Sequence, residues 1–187
     1  MASLSKPDMP RDFTICTAFM VKAWTTDFTA ARLFVLRDDD GDGWAYASLY
    51  AADTNIELSA SLGEVFVRTT IDRLLFPLTW TRVCVSLDTI SGKVAVVVNG
   101  QLLQDEVHQE ALEDDKYRPS NMSLVLGYNQ VNGNEYTGMM SQLNIFSSAL
   151  FASRMVAQTQ AGGEECGAPG DYVSWEEEDW NLTSQAR

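Results

Sequence analysis

The chain has 187 residues, of which 45% are apolar and 21% charged, a composition typical of one globular domain and not of a disordered chain. Its net charge of −13 would repel nucleic acid and anionic lipid headgroups, so neither is an expected partner. No apolar run reaches the roughly 18 residues of a membrane-spanning helix, so membrane insertion by this segment is not expected.

Short segments of alternating apolar and polar residues, separated by turn residues, recur along the chain and indicate an all-β sandwich instead of βαβ units. Residues 149–160 contain good helix formers and stop at Gly162-Gly163, which predicts one short surface helix. The predicted strands lie within 13–24, 32–36, 44–50, 56–61, 65–70, 80–88, 93–98, 122–127, 138–146 and 170–175. The last of them is expected to return beside the N-terminal strand.

The middle of the chain predicts a pair of strands that ends in a hairpin. Val83, Val85 and Leu87 alternate with more polar residues, so one face of the first strand is apolar and the other mixed. Asn99-Gly100 follows the second, valine-rich strand. These two residue types tolerate the positive φ angles that a tight type I′ turn requires.

This central pattern resembles a pentraxin or laminin-G-like domain. The pattern begins at Trp80-x-x-x-Cys84, continues through a Ser-Gly turn and ends at Asn-Gly-Gln. Later stretches are similar to the same family, namely Leu-Val-Leu-Gly127, the strand from Gly138 to Asn144, and the closing segment 170–175. The resemblance spans residues 12–176, nearly the whole chain.

The resemblance implies a two-sheet antiparallel jelly-roll sandwich of the concanavalin A type, with one short surface helix near 150–160. It places the sandwich at 12–180, after an N-terminal lead (1–11) and before a tail or linker (181–187). The family binds ligands outside cells, so we expect an extracellular, non-catalytic module for a carbohydrate or protein ligand within a larger surface protein. A structural or oligomerisation module without lectin activity is the alternative, because one scaffold hosts many functions.

Three cysteines bear on location. Cys16 and Cys84 lie on the faces opposite the apolar residues of their strands, which fits a bridge between neighbouring strands of one sheet; two reduced thiols in a cytosolic protein remain open from the residues alone. Their placement resembles the pentraxin disulfide, which pairs a Phe-Thr-x-Cys strand with the Trp-x-x-x-Cys strand. The third, Cys166, predicts a partner in another domain of the same polypeptide. The polar N-terminus has no signal-peptide core, which taken literally indicates a cytosolic protein. Because the cysteines favour export, we expect instead a domain cut from a longer exported chain.

Calcium is where the sequence departs from pentraxins, which hold paired Ca²⁺ just after the Leu-Gly motif and in the later Gly-to-Asn strand. The corresponding positions here are Asn129, Gln130, Val131, Met139 and Gln142. Ca²⁺ needs about six to eight oxygens, several of them anionic. We therefore expect the double site to be lost, and phosphocholine-type recognition with it.

A different calcium candidate is the acidic segment that contains Asp38, Asp40 and Asp42 and ends at Gly43. Asp at the first, third and fifth positions with Gly at the sixth is the front half of an EF-hand loop. The twelfth position is Leu49 and the flanks are predicted strands, which excludes an EF-hand. A carboxylate from another loop could complete the shell; a solvated turn is the alternative.

Enzymatic patterns find little support, so we expect no catalytic site. Retaining glucanases of this fold need two carboxylates about 5–5.5 Å apart, from a Glu-x-Asp-x-x-Glu type of strand that this chain lacks. The acidic run 176–179 follows the last predicted strand. His108 is the only histidine, and the chain does not supply the cluster of Cys and His that a zinc site needs. A concanavalin A-like glycoside hydrolase remains the distant alternative.

Aromatic residues could still form a ligand surface. Trp44, Tyr46 and Tyr50 share one face of a predicted strand, where sugar rings could stack. Aromatics at this period are more often sandwich core, so we expect two of the three in the core. Tyr128 and Tyr136 border a second candidate rim.

Two Asn-x-Ser/Thr triplets, at Asn121 and Asn181, predict N-glycosylation if the chain is exported. Asn121 is the better candidate because it stands at a predicted loop-to-strand boundary. Chance occurrence is the alternative for both triplets.

Overall fold

The computed structural model describes residues 2–8, 10, 12–21, 31–37, 43–51, 56–62, 65–71, 78–88, 90–107, 120–127, 138–160, 167–178 and 181–182. This part of the chain contains twelve strands and one helix. The strands are β1 (Ala2–Asp8), β2 (Phe13–Val21), β3 (Ala31–Arg37), β4 (Gly43–Ala51), β5 (Ile56–Leu62), β6 (Val65–Ile71), β7 (Thr81–Asp88), β8 (Lys93–Val98), β9 (Gln101–Val107), β10 (Ser120–Leu126), β11 (Gly138–Phe146) and β12 (Asn181–Leu182). The helix is α1 (Ala152–Thr159).

The strands form two antiparallel sheets. One has seven strands in the order β12-β1-β10-β3-β4-β5-β6, and the other has five in the order β11-β2-β7-β8-β9. Every strand pair in either sheet is antiparallel. The predicted all-β sandwich with one short helix is therefore confirmed. No helix in the described ranges is long and apolar enough to cross a membrane.

The main hydrophobic core lies between the two sheets and follows the alternation of the strands. Phe13, Ile15 and Phe19 of β2 enter it from the five-stranded sheet, and Phe34 and Leu36 of β3 enter it from the seven-stranded sheet. All five are almost completely buried. The predicted apolar face of β7 also belongs to this core, with Val83, Val85 and Leu87.

The predicted hairpin joins β8 to β9. Asn99 has φ +47° and Gly100 has φ +81°, the left-handed values that the sequence predicted for a type I′ turn. The turn is also tied to β7, because the backbone N–H of Arg82 donates to Asn99 Oδ1 at 2.8 Å and the N–H of Asn99 donates to the Arg82 carbonyl at 2.9 Å. The local turn sequence thus fixes the register of three strands.

Helix α1 covers the outer face of the five-stranded sheet. Met155 is completely buried there, in a second apolar cluster with Phe146, Leu150 and Val97. At the other end of the helix, the N–H of Gly100 donates to Thr159 Oγ1 at 3.0 Å. The predicted short helix is confirmed, but the strand face expected to be mixed becomes a second, smaller core beneath it.

The sheets extend beyond the expected domain boundaries at both ends. Residues 2–8, expected as a lead, form β1 and pair with β10, as in Leu4 opposite Leu124. Residues 181–182, expected as a tail, pair with the start of β1. Backbone pairing across the sheet can recruit a polar segment that lacks a strong strand pattern of its own.

The closing segment also differs from its prediction. The sequence 170–175 was expected to form a strand beside the N-terminal one, but its only bridge among the described residues joins Val173 to Ile145 of β11. Backbone hydrogen bonds connect the same two residues in both directions, at 2.9 Å and 3.1 Å. The segment therefore covers the outer edge of β11 instead of lying beside β2.

Candidate functional site

The disulfide is confirmed as a bridge within the five-stranded sheet. Cys16 of β2 and Cys84 of β7 are direct register partners, they are bonded, and their Cα atoms are 4.1 Å apart. Cys84 is fully buried, and both sulfurs belong to the cluster beneath α1. Cys166 lies outside the described residues, so its partner stays a prediction.

Asn144, the asparagine of the Gly-to-Asn strand, holds the closing segment in place. It is buried, and its Oδ1 accepts from the N–H of Gly170 at 3.4 Å and from that of Trp175 at 3.2 Å. Its Nδ2 donates to the Gln142 carbonyl at 3.2 Å. A Cβ on Gly170 would lie 2.3 Å from the Ile145 carbonyl oxygen. The motif residues Asn144, Gly170 and Trp175, which resemble the family pattern, therefore hold the closing segment against β11.

Two carboxylates stabilise turns. Asp171 accepts from both the hydroxyl and the backbone N–H of Ser147. Burial acts to raise the pKa of Asp171, but these hydrogen bonds, with the charge of Arg154, outweigh it and hold the pKa below its ordinary value. The hydroxyl of Ser91 likewise lowers the pKa of Asp88, against a smaller opposing effect of burial.

The predicted calcium ligands Asp38, Asp40 and Asp42 lie outside the described residues. Two pentraxin-equivalent positions lie inside them, on β11: Met139 is half exposed, and Gln142 adopts φ +53° at a register shift of the strand. Within the described ranges, no three side chains from His, Cys, Asp and Glu come together as a metal site would require. Asn129–Val131 and His108 are also outside these ranges.

The register of β4 places two of the candidate aromatic residues, Tyr46 and Tyr50, on the outer face of the seven-stranded sheet. Tyr46 pairs with Val35, whereas Ala45 and Ala47 pair with the core residues Leu36 and Phe34. Residues 46, 48 and 50 therefore occupy the face directed away from the five-stranded sheet.

Two of the three aromatic positions in β4, Tyr46 and Tyr50, are thus on the outer face. The expectation that two of the three are buried in the core stays a prediction, because the structure does not describe these side chains. Alternation alone could not distinguish the two faces, because the intervening alanine and leucine residues are apolar as well. Trp44 stands at a register shift between β3 and β4. Tyr128 and Tyr136 lie outside the described residues.

Both glycosylation triplets begin in strands. Asn121 is the second residue of β10 and aligns with β1. Asn181 pairs with Ser3 in β12. Their modification stays a prediction.

This architecture, two antiparallel sheets with a disulfide inside the five-stranded sheet and a short helix over its outer face, defines a concanavalin A-like sandwich. A family model described as the concanavalin A-like lectin/glucanases superfamily, in its laminin-G-like branch, matches residues 2–154. The chain belongs to this family. No curated protein sequence matches the chain.

Solved structures show the same fold at low sequence identity. A native heptameric SAP-like pentraxin from Limulus polyphemus is 18% identical, with a TM-score of 0.76 over 97% of this chain and 85% of the pentraxin chain. The full extracellular region of zebrafish Gpr126/Adgrg6 is 16% identical, with a TM-score of 0.64 over 96% of this chain and 23% of that region. The CBM40 of Ruminococcus gnavus IT-sialidase, bound to α2,3-sialyllactose, is 14% identical, with a TM-score of 0.55 over 83% of this chain and 98% of the CBM40 chain.

Proposed function

We propose that this chain is a non-catalytic binding module of an extracellular protein, and that its ligand is a carbohydrate. The observation that carries the proposal is the row of β4 residues Tyr46, Ser48 and Tyr50 on the outer face of the seven-stranded sheet. Aromatic and hydroxyl side chains suit a sugar, which offers one apolar ring face and a rim of hydroxyl groups. The sialyllactose bound to the similar CBM40 supports the same ligand class.

An extracellular location is supported by the Cys16–Cys84 disulfide, because such bonds form and persist in oxidising compartments. The similar extracellular region of Gpr126/Adgrg6 is far longer than this chain, which supports a module within a larger surface protein. In such a protein, Cys166 would link this module to another domain.

A non-catalytic role is supported by what three of the described carboxylates do. Asp88 and Asp171 hold turns together. Asp105 forms an ion pair with Lys93 at 2.9 Å. Each of these acidic groups has a structural partner, whereas glycoside hydrolysis requires two that face each other across a sugar.

A glycan array with the purified chain tests the proposal. We expect binding that Tyr50→Ala reduces by about two- to tenfold, since aromatic contacts contribute about 0.5–1.5 kcal/mol. Phe151→Ala is the matched control, because Phe151 is 85% exposed beside α1, on the other sheet. Binding to no glycan, or equal loss in both variants, would contradict the proposal.

The calcium hypothesis is tested by repeating the array, and by thermal melts, with calcium and with chelator. A rise in binding or in melting temperature with calcium, reversed by chelator and absent in Asp40→Ala, would support a site at Asp38, Asp40 and Asp42. A calcium effect that survives Asp40→Ala would contradict this ligand set, and no effect in the wild type would leave the segment as a solvated turn.

A protein-contact module is the second candidate, favoured by an apolar surface at one end of the five-stranded sheet. Leu78 is 66%, Trp80 40% and Met139 50% exposed. Leu78 lies beside the end of β2, where its N–H donates to the Val21 carbonyl, and Met139 pairs with Met20 of the same strand. This candidate would be favoured if the chain binds no glycan on the array and cross-links to a protein partner in a way that Trp80→Ser abolishes.

A further inference from the structure

The hairpin turn between β8 and β9 contains both partners of an intramolecular reaction. Its first residue, Asn99, carries a side-chain amide carbon, Cγ, and the next residue, Gly100, supplies a backbone nitrogen close to it in the chain. Glycine has no side chain to hinder the approach of that nitrogen. Attack of the Gly100 nitrogen on Asn99 Cγ closes a succinimide ring without help from any other protein group. The turn is therefore a candidate site of self-modification.

The structure holds the side-chain amide in an arrangement that favours attack. Asn99 Oδ1 accepts from the backbone N–H of Arg82 at 2.8 Å. A donor at that oxygen polarises the Cγ–Oδ1 bond and stabilises the negative charge that develops on Oδ1 when a nucleophile attacks Cγ. Asn99 is also exposed, so water can reach the ring that would form there.

The attacking nitrogen, in contrast, is protected by helix α1. The N–H of Gly100 donates to Thr159 Oγ1 at 3.0 Å, and the same hydroxyl donates to the Met155 carbonyl at 2.9 Å. The nitrogen must lose its proton before it can attack, and an amide held in a buried hydrogen bond loses its proton only when that bond opens. Thr159 is 2% exposed, so water does not compete for the Gly100 N–H while α1 lies on the sheet.

Helix α1 is short and weakly capped, so this protection depends on its packing against the sheet. The helix has eight residues, its N-cap Phe151 makes no side-chain cap hydrogen bond, and neither end carries a charge that favours the helix dipole. Its buried residues are Met155, Gln158 and Thr159. Neither amide atom of Gln158 has a hydrogen-bond partner among the described residues, and a buried amide of this kind opposes docking of the helix. Local detachment of α1 is therefore the expected route by which Gly100 becomes reactive.

We propose that Asn99-Gly100 is a self-modification site whose reaction is controlled by detachment of α1. Once the N–H of Gly100 is released, its nitrogen gives up the proton to solvent and attacks Asn99 Cγ. A bond forms between this nitrogen and Cγ, the bond from Cγ to the side-chain nitrogen breaks, and ammonia leaves after taking up a proton from solvent. Water then opens the succinimide at either carbonyl, which leaves aspartate or isoaspartate at position 99. The inference is independent of the proposed carbohydrate function.

Either product would weaken the docking of α1. Gly100 lies against the C-cap of the helix, since a Cβ on Gly100 would be 3.3 Å from Gln160 Cβ. Aspartate at position 99 therefore adds a negative charge near the negative end of the helix dipole. Isoaspartate lengthens the main chain of a turn in which the Asn99 N–H donates to the Arg82 carbonyl at 2.9 Å. Because α1 covers the disulfide, modified molecules should be reduced faster than unmodified ones.

Thr159→Val tests the protection, because valine resembles threonine in shape but lacks the hydroxyl, and Thr159→Ser restores it. Mass spectrometry of peptides from folded protein held in heavy-oxygen water measures the reaction, since hydrolysis of the succinimide incorporates the label. We expect Thr159→Val to accelerate modification of Asn99 by about two- to tenfold, the effect of one lost hydrogen bond, and Thr159→Ser to react like the wild type. Asn132-Gly133, the other Asn-Gly pair of the chain, is the internal reference, and in urea both pairs should react at similar rates.

Met155→Ala loosens α1 without altering the reacting groups, so it should also accelerate modification of Asn99. Gly170→Ala is the matched control, because it destabilises the closing segment on β11 instead. Circular dichroism and urea unfolding verify the fold and stability of each variant. An unchanged rate in Thr159→Val, or equal acceleration by Met155→Ala and Gly170→Ala, would overturn control by α1. A folded wild type that modifies Asn99 as fast as the chain in urea would overturn it as well.

Discussion

Replacing Cys16 and Cys84 together by alanine removes the cross-link between β2 and β7, which closes a sequence separation of 68 residues. In the chain-entropy account a loop of this length restricts the unfolded chain enough to contribute about 4 kcal/mol at 25 °C. Domains have free energies of unfolding of about 5–15 kcal/mol. We therefore expect the double variant to lose about 3–5 kcal/mol, a large share of the total, with the small extra cost of two missing sulfur atoms in the cluster beneath α1.

Urea unfolding followed by tryptophan fluorescence measures both the free energy and its dependence on denaturant, the m value. Both the reference protein and the double variant carry Cys166→Ala, so that the third thiol cannot exchange with the disulfide. Without the cross-link the unfolded chain expands and exposes more surface, so the m value should rise as the free energy falls. A loss below about 1 kcal/mol with an unchanged m value would refute this account of the bridge.

Peptide mapping of the wild type under non-reducing conditions is the companion measurement. It should recover a Cys16–Cys84 peptide pair, as the structure shows. A peptide that links Cys166 to either of these cysteines would contradict the predicted role of Cys166 as a partner for another domain.

Three further predictions concern packing and charge. Met155→Ala should lower the free energy of unfolding in urea by about 2–5 kcal/mol, because Met155 of α1 is completely buried against the sheet. Met139→Ala, at a half-exposed position of β11, should lower it by less than about 1 kcal/mol. Equal losses would contradict the second core. Gly170→Ala should cost about 1–3 kcal/mol, because its Cβ would lie 2.3 Å from the Ile145 carbonyl oxygen, and a variant of wild-type stability would show that the closing segment can shift freely. The lowered pKa of Asp171 stabilises the fold above the unfolded pKa of about 3.9, and this contribution is lost as pH falls through the folded value. Asp171→Asn should therefore make the free energy of unfolding less dependent on pH in the acid range. The same pH dependence in the variant and the wild type would refute this role of Asp171.

Much of the fold could be predicted from local patterns. Alternation in the Val83–Leu87 strand identified its core face, and Asn99-Gly100 identified the hairpin, because turn geometry and strand period are properties of short segments. The pairing of Cys16 with Cys84 followed from their strand faces and from the family resemblance. The face of this strand and the hairpin could be predicted because the relevant physics acts over a few residues, whereas the cysteine pairing also needed the resemblance to a known family.

The two ends of the chain were harder to predict. Residues 2–8 carry no strong strand pattern, and they become a strand through pairing with β10, more than a hundred residues away. The closing segment lies beside β11 because Asn144 accepts hydrogen bonds from Gly170 and Trp175. Such long-range pairings leave no periodic signal near the residues that they position.

The sequence by itself determined the fold class, the hairpin and the disulfide partners, since each depends on strand period, turn chemistry or a recognisable order of motifs. Only the tertiary structure decided which strand faces are covered. It placed Met155 over the outer face of one sheet, and it aligned Tyr46 and Tyr50 on the outer face of the other. The physical reason is that residues meet across a sheet through backbone register, which packing of the whole sandwich selects and which no single strand encodes.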